Sequence, residues 1–215
     1  MPSPTTKLWL GSISDAALTL LGLNELWKLR WPRERLNEIA ATLGSDIGFF
    51  LWGGWARCRG RGEIVEPLPE SAGWPSIRIF LILPPLSVPT PSVYKALNAP
   101  LLDGKKRPRN LTSLAQNINV LLARIAKEEL FSEWPSNGLQ QASCAVEPRL
   151  VDLQSNLGRH YPGRWQMSGS GAVHVIVPKP GERARDVEEK LNKGLPYALS
   201  VVETQTITPC FSPWS

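Results

Sequence analysis

Leu43-Gly44-Ser45-Asp46-Ile47-Gly48-Phe49-Phe50-Leu51-Trp52-Gly53-Gly54 sets one carboxylate between a helix-ending glycine and a run of large apolar side chains. That order predicts Asp46 at the rim of a core. An ionised carboxylate withdrawn from water without a partner is strongly disfavoured, so Asp46 either faces a cleft or serves a local partner. A cleft makes it a candidate working group, because acids at the edge of apolar sites are where tuned chemistry concentrates. The structural alternative is that it caps the next turn, as Asp often does.

Upstream of this stretch, Pro32 opens a predicted helix that carries Leu36, Ile39, Ala40 and Leu43 inward and stops at Gly44. Before it, Ala17, Leu20 and Leu21, continued by Leu23, Leu26 and Trp27, predict a largely buried helix beginning at Ser14, with Ser12 or Ser14 as N-cap and Asp15 in its first turn. Downstream, residues 49–58 and 63–68 flank Arg59-Gly60-Arg61-Gly62 and predict a two-stranded hairpin, with Trp52 and Trp55 in the core of its first strand. A Pro-, Ser- and Gly-rich segment, 67–76, marks a domain boundary, giving domains over 1–70 and 77–215.

Ile77-Arg78-Ile79-Phe80-Leu81-Ile82-Leu83 is a predicted strand ended by Pro84-Pro85. The prolines of Ser87-Val88-Pro89-Thr90-Pro91-Ser92-Val93-Tyr94 exclude regular pairing and predict an ordered loop entering a short helix. Residues 101–110 are basic, with Lys105-Lys106-Arg107-Pro108-Arg109, and predict a hydrated loop; 111–130 predict an amphipathic helix. A helix over 147–157 ending at Gly158 precedes Met167-Ser168-Gly169-Ser170-Gly171, which runs into a strand over 172–177. A helix over 183–192 and a strand over 198–207 complete the chain. This alternation predicts an α+β fold, an antiparallel or mixed sheet with helices on one face.

With 42% hydrophobic and 20% charged residues in 215, the composition is that of a globular protein with a real core. A net charge of +5 favours anionic small molecules and is too small to indicate nucleic acid. Cys58, Cys144 and Cys210 are odd in number and widely spaced, against a disulfide framework or zinc site; a reducing cytoplasm is the simplest setting. No apolar run is long enough to cross a bilayer, so no membrane partner is expected, and the spacing of the cysteines and histidines predicts no metal site among the protein's own side chains. His174, in an alternating strand with no second ligand at metal spacing, is expected to be a core or surface side chain.

The two Gly/Ser stretches, Gly11-Ser12-Ile13-Ser14-Asp15 and 167–171, predict loops whose backbone N–H groups can approach an anion. Together with Leu20-Leu21-Gly22-Leu23-Asn24, Gly44-Ser45-Asp46, Phe49-Phe50, Gly53-Gly54, Gly60-Arg61-Gly62-Glu63, Ser87 to Pro91 with Tyr94, and Asn137-Gly138-Leu139-Gln140, they make the chain resemble the GHMP kinase family. Matches run in one order over nearly the whole chain. The resemblance implies a partial GHMP N-terminal domain followed by a GHMP C-terminal domain, a ferredoxin-like α/β sandwich. Within that family it implies the branch using ATP and Mg²⁺ to phosphorylate the 2-hydroxyl of a cytidyl methylerythritol, in non-mevalonate isoprenoid synthesis. Asp46 then orients or deprotonates the acceptor hydroxyl, and Gly11, Ser12, Ser14 and Asp15 match the ATP-binding loop. Thr90 and Tyr94 match substrate-binding positions, and Ser168, Gly169, Ser170 and Gly171 match the third family motif, which closes over the catalytic region.

Three departures bear on activity. Leu10 and Ser12 stand where the family has glycines and Ile13 where it has serine, which predicts weak ATP binding. Gly48 replaces a proline and is expected to loosen the Asp46 turn. The family's first strands, with a lysine that pairs with the catalytic aspartate, are expected to lie before Met1, leaving an apolar face for a second copy or another polypeptide. Two readings therefore stand: a small-molecule kinase, or a non-catalytic descendant acting as a binding or interaction module.

Overall fold

A computed structural model of the chain describes residues 5–54, 56–67, 76–98 and 137–206, with only the backbone of 5–12. These residues fall into two compact units that part at the 68–75 segment. The basic run at 105–109, the helix expected over 111–130, Trp55 and Cys210 lie outside the described residues.

The first unit comprises helices α1 (Thr5–Leu26), α2 (Arg33–Leu43) and α3 (Ile47–Trp52) and an antiparallel hairpin of β1 (Ala56–Arg59) and β2 (Ile64–Pro67). α1 starts nine residues before the expected Ser14, so Ser12 and Ser14 are helix-interior residues and not caps. No proline follows Pro4 in that region, and a single glycine, Gly11, costs a helix only about 1 kcal/mol. Ala17 is buried, whereas Leu18, Leu26 and Trp27 are exposed, so α1 is not the largely buried helix its apolar content predicts. α2 follows Pro32 and ends at Gly44 as expected, burying Leu36 and Ala40 one turn apart but leaving Leu43 63% exposed.

The expected strand over 49–58 is instead α3 followed by a four-residue strand. Six apolar residues in a row carry no period, and packing decides. Ile47 and Leu51, four apart, bury one side of α3 in a core with Ala17, Leu36 and Ala40. Gly53 and Gly54, at φ +67° and +62°, then reverse the chain into β1. Trp52 is half-buried beside this core, with the Arg33 guanidinium 5.9 Å from its ring centroid.

In the second unit β3 (Arg78–Leu83) leads to α4 (Thr90–Asn98). After residues 99–136 come α5 (Gln140–Val146), α6 (Arg149–His160), β4 (Trp165–Met167), β5 (His174–Ile176), α7 (Ala184–Asn192) and β6 (Ser200–Gln205). The four strands form one antiparallel sheet in the order β4-β5-β3-β6. Numbered within this unit that is 2-3-1-4, the order of a ferredoxin-like sandwich. β3 sends alternate residues Phe80 and Ile82 into a core with Leu150, Leu153 and Leu157 of α6 and Val187 and Leu191 of α7. Each large aliphatic side chain buried this way contributes about 1.5–3 kcal/mol, and truncating Leu153 to alanine would cost about 2–5 kcal/mol. Asn156 ties α6 to α7 by donating to the Leu191 carbonyl at 2.8 Å. α6 continues through Gly158, where the sequence predicts its end, and β4 and α5 are absent from the sequence expectation.

Candidate functional site

Asp46 occupies the residue before α3, in a helical backbone conformation, and its side chain makes no capping hydrogen bond. It is exposed, while Ile47 and Gly48 directly after it are buried. The carboxylate thus stands at the edge of the core without being consumed as a cap. The hairpin turn closes against it: Gly62 lies so near that a Cβ would come within 2.9 Å of Asp46 Oδ1. Partial burial of the Cys58 thiol, with the Asp46 carboxylate adding to it, pushes that thiol above its ordinary pKa.

The glycine after the Asp46 turn is closely packed. Gly48 packs against Asn37, and a Cβ there would stand 2.1 Å from Asn37 Oδ1 and 3.3 Å from Val65 Cγ2. Asn37 cannot easily withdraw, because its Nδ2 donates to the Glu63 carbonyl at 3.1 Å and links α2 to the hairpin.

Gly11, Ser12, Ser14 and Asp15 all lie on α1, so the predicted glycine loop is corrected to a continuous helix. Amides inside a helix bond to the carbonyls four residues back, so these do not form a backbone anion nest. What α1 presents near its middle is side chain: Ser14 is half-buried, and Asp15 is exposed with its carbonyl accepting from Thr19 Oγ1 at 2.7 Å.

In the second unit the structure draws several predicted residues together. Thr90, first residue of α4, and Ser170 are hydrogen-bonded through their hydroxyls at 2.8 Å. Ser168, Gly169, Ser170 and Gly171 form a tight turn between β4 and β5, with Gly171 N–H donating to the Ser168 carbonyl at 2.9 Å and Gly169 at φ +53°. Among the described residues nothing lies within 4 Å of a Cβ built on Gly169. Tyr94, one turn along α4 from Thr90, is exposed.

Two residues without an expected role hold this turn. Asn137 Nδ2 donates to the carbonyls of Met167 and Gly169 at 2.8 and 2.7 Å. Ser143 Oγ, buried in α5, is 2.9 Å from the Ser170 carbonyl and from that of Leu139. Asn137-Gly138 carries a turn signal in the sequence, whereas nothing around Ser143 distinguishes it from an ordinary helical serine.

His174 is fully buried, and burial pushes its imidazole down to about 4, so it is a neutral core histidine at neutral pH. His160 is only half-buried. Among the described residues no three His, Cys, Asp or Glu side chains converge on a metal position, and no helix is long and apolar enough to cross a membrane.

No protein-family model matches the chain. It is 35% identical over 184 residues to 4-diphosphocytidyl-2-C-methyl-D-erythritol kinase from Heliobacterium modesticaldum, covering 82% of this chain and 58% of that protein. Identity to the enzyme of the same name from Listeria innocua is 33%, over 82% of this chain and 57% of that one. A crystal structure of 4-(cytidine 5'-diphospho)-2C-methyl-D-erythritol kinase superposes with a TM-score of 0.63 at 28% identity, over 91% of this chain and 64% of that one. Homoserine kinase from Cytophaga hutchinsonii shares the fold, with a TM-score of 0.55 at 17% identity. The chain is thus a relative of the 4-diphosphocytidyl-2-C-methyl-D-erythritol kinases with the α+β fold of GHMP kinases, and it spans 58% of the length of the first of these relatives.

Proposed function

We propose that the chain is the larger part of an ATP-dependent small-molecule kinase that phosphorylates the 2-hydroxyl of 4-diphosphocytidyl-2-C-methyl-D-erythritol. The observation that carries this reading is the 35% identity to a kinase of that name across four-fifths of the chain. Asp46 is the group that orients or deprotonates the acceptor hydroxyl; its exposure and its freedom from capping support that role. Within the second unit, Thr90 and Tyr94 take the family's substrate-binding positions and Ser168, Gly169, Ser170 and Gly171 its third motif, a grouping supported by the Thr90–Ser170 hydrogen bond. Phosphoryl transfer through a loose transition state demands alignment and charge compensation more than covalent chemistry, which is a role a single carboxylate such as Asp46 can serve. Mg²⁺ accompanies ATP and compensates charge on its phosphates. Free Cys58 and Cys144 fit a cytoplasmic setting.

One observation favours the second reading, a catalytically impaired relative that serves as a binding or interaction module. Gly11, Ser12, Ser14 and Asp15 match the family's ATP-binding positions, but their helical backbone favours weak binding. Purified chain incubated with the cytidyl substrate and Mg-ATP, followed by ³¹P NMR, separates the two. Appearance of a phosphomonoester resonance with equimolar ADP supports the kinase. Its absence at high enzyme concentration, with the protein shown to be folded, supports the impaired relative.

A further inference from the structure

We propose that His174 is a positioning residue for the 168–171 turn: its neutral imidazole, kept in the Nδ1–H tautomer by Gln154, clamps the Ala172 carbonyl and fixes the exit of the turn. The functional weight of this role rests on the kinase reading of that turn; the geometry does not.

His174 Nδ1 is 2.8 Å from the Ala172 carbonyl oxygen. A carbonyl only accepts, so Nδ1 carries the proton and Nε2 is left as an acceptor. The amide of Gln154, on α6, faces Nε2 at 3.3 Å and supplies the matching donor. Gln154 Oε1 in turn accepts from Gln140 Nε2 at 3.1 Å and from the Cys144 thiol at 3.4 Å, both on α5. The chain of donors therefore runs in one direction, from α5 through Gln154 and His174 to the backbone where the turn re-enters β5. The same helix holds the opposite side of the turn through Ser143, and Asn137 just before it holds Met167 and Gly169.

The turn is thus gripped front and rear from α5. An imidazole in a strand otherwise made of Val and Ile is not what packing alone selects: an aliphatic residue there would take from the buried Ala172 carbonyl the donor it has in His174 and would leave Gln154 Nε2 with the Met167 sulfur, 3.8 Å away, in place of a ring nitrogen. Burial, which pushes the imidazole down to about 4, keeps it in the one protonation state that can accept from Gln154. The Trp165 ring, 5.7 Å away on β4, walls one side of it.

The test uses the full chain. Long-range ¹H–¹⁵N NMR of His174 should show the Nδ1–H tautomer at pH 7, with no titration between pH 8 and pH 5. In His174→Phe, exchange of the Ser168 and Gly171 amides, each hydrogen-bonded across the turn, should accelerate about tenfold, the equivalent of one lost buried hydrogen bond. His174→Asn, whose side-chain amide can donate from the position of Nδ1, should restore most of that protection. An Nε2–H tautomer, or unchanged exchange in folded His174→Phe, would overturn the proposal. If His174→Phe does not fold, the wild-type tautomer and the His174→Asn exchange decide. Because none of these readouts needs nucleotide, lack of turnover in the wild type would count against the kinase reading alone.

Discussion

Gly62 and Asp46 meet across two turns: at φ +123°, Gly62 has room for no side chain, since a Cβ would stand 2.9 Å from Asp46 Oδ1 and 3.3 Å from the Ser45 carbonyl oxygen. The hairpin tip therefore backs the carboxylate that the proposed reaction uses. Gly62→Ala should destabilise the first unit by about 1–3 kcal/mol through left-handed strain, read as a lowered urea midpoint. It should also displace Asp46 and depress turnover beyond the loss of folded protein. An unchanged midpoint would remove the tip from any role in holding Asp46.

Asp46→Asn should abolish phosphoryl transfer while leaving Mg-ATP affinity within a few fold. Stability separates this residue from a structural cap. Replacing a working N-cap costs about 0.5–2 kcal/mol. Asp46 makes no capping hydrogen bond, so the variant should unfold at the wild-type denaturant concentration. Retained turnover would exclude Asp46 as the reactive acid.

The Thr90–Ser170 hydroxyl pair bridges α4 and the glycine turn from positions 80 residues apart. It lies at an exposed site, so its coupling is modest. A double-mutant cycle of Thr90→Val and Ser170→Ala should give about 0.5–1 kcal/mol in stability, and Thr90→Ser should keep most of it. If the pair also sets the acceptor site, the same cycle on turnover should show a KM effect larger than the stability coupling.

What the sequence made legible tracks how far each signal depends on neighbours. Pro32 and Gly44 bound α2 because capping and breaking are local chemistry, and β3 stands out because a short run rich in Ile, Leu and Phe is stopped at once by Pro84-Pro85. Position 46 was legible for the same reason, as a charge between a helix stop and an apolar run. α3 was not, because Ile47, Phe49, Phe50, Leu51 and Trp52 suit a strand as well as a helix until Ala17, Leu36 and Ala40 supply the surface that selects one. Gly11 and Ser12 pointed to a loop on composition, yet the uninterrupted run from Thr5 propagates a helix through them. The grip on the 168–171 turn from Asn137, Ser143 and His174 was illegible, since it exists only once α5, β4 and β5 are assembled.

His174 makes the fold sensitive to mild acid with a defined sign. Its folded pKa of about 4 lies below the 6.5 of an unfolded histidine. Between those values the unfolded chain takes up a proton that the folded chain does not, so stability is complete above pH 6.5 and declines as pH falls toward 4, by on the order of 3 kcal/mol in all. Glu147, Asp186 and Glu203, hydrogen-bonded to Arg149, Arg183 and Arg78, have depressed pKa values and lose their contributions only below the ordinary carboxylate range, so they leave the pH 6.5–5 interval clear. His160 is also pushed below its ordinary value, by partial burial and by Lys190, Arg159 and Lys179, so its contribution has to be removed from the comparison. The comparison is therefore His160→Gln against His160→Gln with His174→Asn, by urea unfolding at pH 7.5 and pH 5. The first should lose stability between the two pH values and the second should lose clearly less. Equal losses would place the acid sensitivity elsewhere and would mean that His174 is already able to take up a proton in the folded core.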